Sequence, residues 1–335
     1  MRRTALSFLF IFLSVLVFAD PAQSGGSSHA GSSLQQKTPS ERYRGWRKTE
    51  TEHFTFIFEP KDEASVAELL TFCEDSYQKV ADYFGFYPDH INCIVNGRTD
   101  TANGYFSALP NRIELYITSP SGPWLGSKTE NWLELLLIHE LVHYVHMNYN
   151  KGFMYALSRV FGYELRVSAN GFLPGWMIEG IAVALETSLT ESGRGRNPFF
   201  ELYWKAPLLE GDLFSLRQAS YSSPFPPPGR IYYAGYILVD YMMRHFGDDV
   251  FKRIHDRFVK FPFFGPRRAI RTVTGKRAEE IYSGMVTELE GRYASAKEIK
   301  DGSLVTPEAV GNYYFPRMTG DGWYLYRTGP CKPSA

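Results

Sequence analysis

Trp132-Leu-Glu-Leu-Leu-Leu-Ile-His139-Glu140-Leu-Val-His143 is the stretch on which the reading of this chain turns. Leu135, Leu136, Leu137 and Ile138 make it so apolar that a buried helix is predicted, and Ser127 with Glu130 forms a capping-box pair ahead of it. Residues four apart on a helix differ by about 40° around the axis, so His139 and His143 share a face. Two imidazoles stacked in that way can grip one Zn²⁺. Glu140, one step round, can reach an attacking water without ligating the metal, which is the HExxH arrangement. The competing reading is a helix with two buried, hydrogen-bonded histidines. A carboxylate and two imidazoles buried without partners would be strongly destabilising, however, and a bound metal removes that penalty.

Catalytic zinc sites use three protein ligands and keep a fourth position open. The third candidate is Glu179, in Pro174-Gly-Trp-Met-Ile-Glu179-Gly180-Ile-Ala182, a segment that reads as a second helix starting near Pro174. Its surroundings are again apolar, so an unpaired carboxylate there is expensive.

HExxH followed by W-x-x-E-G-x-A resembles the gluzincin metallopeptidases, the peptidase MA clan with its thermolysin-type and aminopeptidase-type branches. The resemblance covers roughly residues 46–298. It implies a small antiparallel sheet beside the zinc helix, zinc as cofactor and a peptide or protein substrate. It makes Glu140 the general base and His139, His143 and Glu179 the ligands. Glu186, seven residues after Glu179, matches a glutamate that supports a ligand imidazole from behind, and Asn148 matches an asparagine at the end of the zinc helix. Tyr232, or failing it Tyr233, matches by its spacing before Gly235 a tyrosine that hydrogen-bonds the developing oxyanion. The chain departs from the pattern in two places. The gap between His143 and Glu179 is 35 residues, and Asn103-Gly-Tyr-Phe-Ser107 stands without a glutamate where aminopeptidases hold the free amine.

Other motifs carry less. His146 lies one turn beyond His143, about 10 Å along the axis from His139, too far to join the ligands, and reads as packing or as a support behind them. Gly122 to Thr129 lacks the glycine that a phosphate-binding loop places before its lysine. The basic run Arg267, Arg268, Arg271, Lys276 and Arg277 reads as a solvated face.

Outward from the helix, His53–Phe58 alternates as a strand, and Val66, Leu69, Leu70, Cys73, Tyr77, Val80 and Phe84 trace one amphipathic helix stopped by Gly85. Ile91–Val95 and Arg112–Thr118 read as further strands, and the pattern is mostly helical from Glu130 onward. Strands first and helices after predict an α+β fold with a helical C-terminal subdomain. Arg112–Thr118 is expected to lie beside the zinc helix and pair with an extended peptide, favouring internal cleavage. Residues 299–335 read as an extension in which a turn at Gly320 leads into a strand, resembling the start of a β-propeller.

The 335 residues are 44% hydrophobic and 21% charged, enough for a sizeable core. Lys plus Arg equals Asp plus Glu at 36 each, so no global field favours nucleic acid. Residues 1–19 read as a signal peptide, with Arg2 and Arg3 before the apolar run Ala5–Ala19, and residues 20–45 as a Gly/Ser-rich linker. These features predict an exported protein, periplasmic or extracellular, without a membrane span in its mature chain. Of three cysteines, Cys73 and Cys93 are the expected pair if a disulfide forms. The expected function is an exported zinc metallopeptidase using a zinc-activated water. The alternative is a secreted zinc-containing binding or scaffold module with little activity. Oligomeric state is not legible in the sequence.

Overall fold

The computed structural model describes residues 45–120, 131–149, 151–162, 167–223, 229–295 and 312–328. The leader, most of the linker, the Ser127–Glu130 pair, the 122–129 loop and Cys331 lie outside the described residues. Residues up to Tyr293 and those from Ala294 onward form two separate compact units.

The first unit is α+β, as expected. Its strands are β1 (Arg47–Glu50), β2 (Phe54–Phe58), β3 (Ile91–Asn96), β4 (Gly104–Ala108) and β5 (Asn111–Tyr116), in the spatial order β1-β2-β3-β5-β4. The sheet is mixed, not wholly antiparallel. β2/β3 and β3/β5 are parallel, while β1/β2 and β4/β5 are antiparallel. The physical reason is the connection: helices between β2 and β3 carry the chain back across, so β3 starts at the same end as β2. Phe54 thus faces Ile91 and Phe56 faces Cys93 across the parallel pair.

The expected helix over 66–84 is two helices, α1 (Glu63–Leu70) and α2 (Cys73–Phe84). The Thr71 hydroxyl bonds the Glu68 carbonyl at 2.7 Å, and the helix restarts after Phe72. Val66, Leu69, Cys73, Tyr77, Val80 and Phe84 are nevertheless buried, whereas Leu70, placed in the same stripe, is exposed. Gly85 ends α2 at φ +62°, in the left-handed region that favours glycine. Cys73 and Cys93 are both buried free thiols, so of the two possibilities left open the disulfide is not made. Each fills its place as a small apolar side chain, and burial raises both thiols, Cys73 to about 11.

Arg112–Thr118 is also corrected. The strand ends at Tyr116 and lies between β3 and β4, so its edges are already paired. The end strand is β4, a strand that the sequence reading missed because Gly104-Tyr-Phe-Ser-Ala has no clear apolar alternation. All five of its residues are half-buried.

The rest of the unit is helical. α3 (Trp132–Asn148) is capped by Asn131, whose side chain accepts from the Glu134 N–H at 3.0 Å. From Leu133 to Asn148 only Glu134 escapes full burial. α4 (Phe153–Phe161), α5 (Gly175–Leu189), α6 (Pro198–Glu210), α7 (Arg230–Phe246), α8 (Val250–Lys260), α9 (Gly265–Thr274) and α10 (Ala278–Arg292) follow.

α5 and α7 cross through bare backbone. A Cβ on Gly180 would sit 2.5 Å from the Gly235 carbonyl carbon, and one on Gly235 would sit 2.6 Å from the Trp176 carbonyl oxygen. The glycine after Glu179 and the glycine after Tyr232-Tyr233-Ala234 are thus the two halves of one helix contact. Gly235→Ala should cost about 2 kcal/mol of stability, since neighbouring backbone must move and this outweighs the better helix propensity of alanine. Thermal or urea unfolding checks this, and a neutral or stabilising Gly235→Ala would contradict the close crossing.

The second unit contains a hairpin, β6 (Asn312–Thr319) with β7 (Gly322–Thr328), antiparallel around a turn at Gly320 and Asp321. The turn and the strand after it were legible, and the strand before it was not.

Candidate metal centre

The apolar sequence of α3 forces the whole helix inside, and His139, Glu140 and His143 go with it. α5 brings Glu179 and Glu186, seven residues and so two turns apart, to the same face of the packing. The three predicted ligands converge. His139 Nε2 is 3.1 Å from His143 Nε2, and Glu179 Oε2 is 3.6 Å from the first and 3.3 Å from the second. A tetrahedral ion with ligand bonds of about 2.0–2.1 Å holds its ligand atoms about 3.3 Å apart. Among the described residues His139, His143 and Glu179 are the group able to hold a metal ion.

The hydrogen bonding fits the same reading. Glu179 Oε2 accepts no well-directed hydrogen bond although it is buried. An orphaned buried acceptor is expensive, and a cation bound between it and the two Nε2 atoms would satisfy it. His139 Nδ1 lies 2.8 Å from Glu186 Oε2. A proton on Nδ1 donated to that carboxylate leaves the Nε2 lone pair facing the centre, the tautomer that a metal needs. Burial by itself would raise Glu179, but the two imidazoles outweigh it and hold the carboxyl well below its usual range. Glu186 is likewise opposed by burial yet drawn down to about 2, chiefly by Arg194.

Glu140 is the carboxylate left over. It is buried, its Oε2 has no hydrogen-bond partner, and burial raises its pKa above the ordinary value. It lies against β4, where a Cβ on Gly104 would approach its Cγ to 3.0 Å and Leu136 Cδ1 to 2.8 Å. Glycine at 104 therefore lets the end strand run close beside the would-be base.

Tyr232 and Tyr233 separate cleanly. The Tyr232 ring is half-buried, with its centroid 6.4 Å from that of His139. Tyr233 turns into the core, stacked 4.2 Å from Tyr203 and edge-on to Phe200 at 5.0 Å. Of the two, Tyr232 is the one whose ring lies beside a candidate ligand. His146 points elsewhere, as expected: its Nε2 is 3.1 Å from His255 Nδ1, and His255 Nε2 donates to the Tyr149 carbonyl at 2.9 Å. Asn148 donates to the Tyr144 carbonyl at 2.8 Å and to Asn111 Oδ1 at 3.2 Å, tying the end of α3 to β5.

Arg194 was missed by the sequence reading. Its Nε and Nη2 each donate to Glu186 at 2.7 Å, its backbone N–H donates to the same carboxylate at 3.2 Å, and its guanidinium lies 5.4 Å from the Tyr232 ring centre. Arg194 Nη2 is also 2.7 Å from His139 Nδ1, so Glu186 and Arg194 together frame the imidazole from behind. The flanking glycines press the loop into place. A Cβ on Gly193 would fall 2.2 Å from Thr187 Cα, and one on Gly195 would fall 2.2 Å from the Tyr236 ring. In the sequence Gly193-Arg-Gly195 reads as a polar turn, and only the paired glycines hint at close packing.

Glu186→Gln is expected to lower zinc affinity about 10- to 100-fold, the usual effect of losing a group that orients a ligand imidazole. Competition with a chelator of known affinity measures it, and an unchanged affinity would remove Glu186 from this role.

No family model and no curated protein matches the sequence. Solved structures do. A mutant M1 zinc metallopeptidase from Deinococcus radiodurans matches at 16% identity over 72% of this chain and 51% of its own, with a TM-score of 0.36. An aminopeptidase N family protein from Idiomarina loihiensis matches at 14% identity over 73% and 46%, with a TM-score of 0.43. The yeast LTA4 hydrolase matches at 16% over 78% and 40%, with a TM-score of 0.40. This chain spans about half or less of the length of each. At such identities and TM-scores the likeness bears on neither activity nor substrate, and the metal centre stands on this chain's own atoms.

Proposed function

We propose that this protein is a zinc-dependent metallopeptidase, acting outside the cytoplasm as its leader-like N-terminus directs. The observation that carries the proposal is the spacing of His139 Nε2, His143 Nε2 and Glu179 Oε2 at 3.1–3.6 Å beside an unpartnered, buried Glu140. A zinc ion on those three residues would polarise a scissile carbonyl and make water acidic enough to attack near neutral pH.

Glu140 has the position and the chemistry of the base. Burial raises its pKa, so it can take a proton from the attacking water and keep it long enough to pass it to the leaving amine. Tyr232, whose ring lies 6.4 Å from that of His139, would donate to the oxygen on which negative charge develops. Glu186, neutralised by Arg194, holds the His139 tautomer. A scaffold that merely kept the zinc would have no use for Glu140, whose buried carboxylate is destabilising.

The substrate is read from β4. As the end strand, with Gly104 against Glu140, it can take an extended peptide by β-addition, which fixes the peptide backbone without needing a free terminus. Asn103–Ser107 carries no acidic side chain to hold a free amine. Internal cleavage is therefore the proposed mode. A peptide offered with a free and with an acetylated N-terminus should be cut at similar rates. If acetylation abolishes cleavage, the protein is an aminopeptidase and this part of the proposal fails.

A further inference from the structure

One face of the first unit is not accounted for by the metal centre. Phe153 at the start of α4, Phe172 in a single turn, and Phe261, Phe263 and Phe264 between α8 and α9 form a continuous ring cluster. The centroid steps are 6.3 Å (Phe153–Phe261), 6.0 Å (Phe153–Phe263), 6.0 Å (Phe172–Phe263), 5.4 Å (Phe261–Phe263) and 4.8 Å (Phe261–Phe264). None is core: Phe153, Phe263 and Phe264 keep 45%, 53% and 60% of their surface in water. Further along α4, Val160 and Phe161 are also exposed, and Met154 is that helix's buried residue. A helix with its apolar side chains turned to solvent, next to a loop of phenylalanines, is the inverse of an ordinary surface helix.

The chain segments that carry the cluster are basic. From Arg257 to Ala278 the chain carries seven Lys and Arg and no Asp or Glu, and residues 151–162 add Lys151 and Arg159, again without an acid. The chain as a whole balances 36 cations against 36 anions, so this is a local excess. Arg267 and Arg277 are paired with Glu279 and Glu280. Exposed Lys260, beside Phe261, and exposed Arg268, whose guanidinium lies 4.7 Å from the Phe264 ring centre, make no ion pair among the described residues. Among the described residues no helix is long and apolar enough to cross a membrane.

We propose that this phenylalanine face, rimmed by Lys260 and Arg268, docks the protein peripherally on an anionic phospholipid bilayer. The rings enter the boundary between headgroups and acyl chains while the cations meet the phosphates. The occupant is a bilayer surface because it offers what the face lacks: a broad apolar layer beneath a uniformly negative one. Such docking would hold the metal centre near the membrane and set which peptides reach it.

The test uses the full chain and sedimentation with vesicles of phosphatidylcholine, with and without about 30% phosphatidylglycerol. The expected result is binding to the anionic vesicles that weakens with salt and is much poorer on phosphatidylcholine alone. The double variant Phe263→Ser/Phe264→Ser should lose at least about tenfold in binding, and Arg268→Glu about fivefold or more. All these side chains are exposed, so circular dichroism and thermal midpoints should not move, and Arg268→Glu stands alone if the serine variant misfolds. Variants that bind like the parent would place membrane binding in the apolar N-terminal run and overturn the proposal. So would equal binding to neutral vesicles, or no binding to either. If the substitutions instead convert a dimer to a monomer and leave vesicle binding unchanged, the face is a contact between copies and the proposal is wrong.

Discussion

Glu140→Gln should leave the zinc content untouched and lower peptide hydrolysis at least about a hundredfold, the scale on which a general acid–base group contributes. The expectation rests on position. Glu140 is buried beside the three converging side chains but is not one of them, its Oε2 lacks a partner, and β4 passes directly over it. Glutamine preserves the shape and removes both the acceptor charge and the ability to carry a proton. Its amide also relieves the strain of a buried carboxylate, so the variant should be no less stable than the parent. Metal analysis and a peptide assay on the same preparation separate the outcomes. Loss of zinc in Glu140→Gln would make Glu140 a ligand, unchanged turnover would remove Glu140 from the role of base, and a parent without turnover would leave the protein a zinc-bearing scaffold.

The second large effect is expected from the ligands themselves. His139→Ala or His143→Ala should abolish stoichiometric zinc and lower the thermal midpoint, because affinity for the folded state adds to folding free energy. A ligand present at about a thousand times its dissociation constant contributes about 4 kcal/mol, and most of that should vanish. Glu179→Gln should fall between, weakening the metal while keeping a carbonyl oxygen in place. Adding a strong chelator to the parent protein should reproduce the same drop in midpoint and leave the His143→Ala variant unmoved. A chelator that shifts neither protein would show that the folded state does not depend on a metal.

What the sequence made legible was local. His139, Glu140 and His143 are set by the turn of one helix, and an apolar helix leaves them no option but burial. Glu179 was found for a similar reason, as a carboxylate on a second apolar helix, whereas Glu186, two turns further on, was found only through the family resemblance. The contributions missed are those made by long-range pairing. β4 carries no alternation because all its residues are half-buried. The parallel pairing of β2, β3 and β5 depends on where the connections cross, which no window of sequence encodes. The crossing of α5 and α7 was visible only as two isolated glycines, 180 and 235, whose purpose appears when the backbones meet. Arg194 is the clearest case. An arginine between glycines reads as a surface turn, and only the fold shows its guanidinium bound to Glu186 behind a ligand imidazole. Spacing favoured Tyr232 with Tyr233 as the fallback, and the fold turns Tyr233 onto Tyr203 in the aromatic core while the Tyr232 ring lies beside His139.

The central claim is that His139, His143 and Glu179 form one zinc site. The most direct measurement is elemental analysis of the purified full chain after growth with zinc available, beside the His143→Ala variant prepared in the same way. One zinc per parent chain, and none held by the variant, is the predicted result. A parent chain free of stoichiometric metal, or a variant that retains it, would contradict the account.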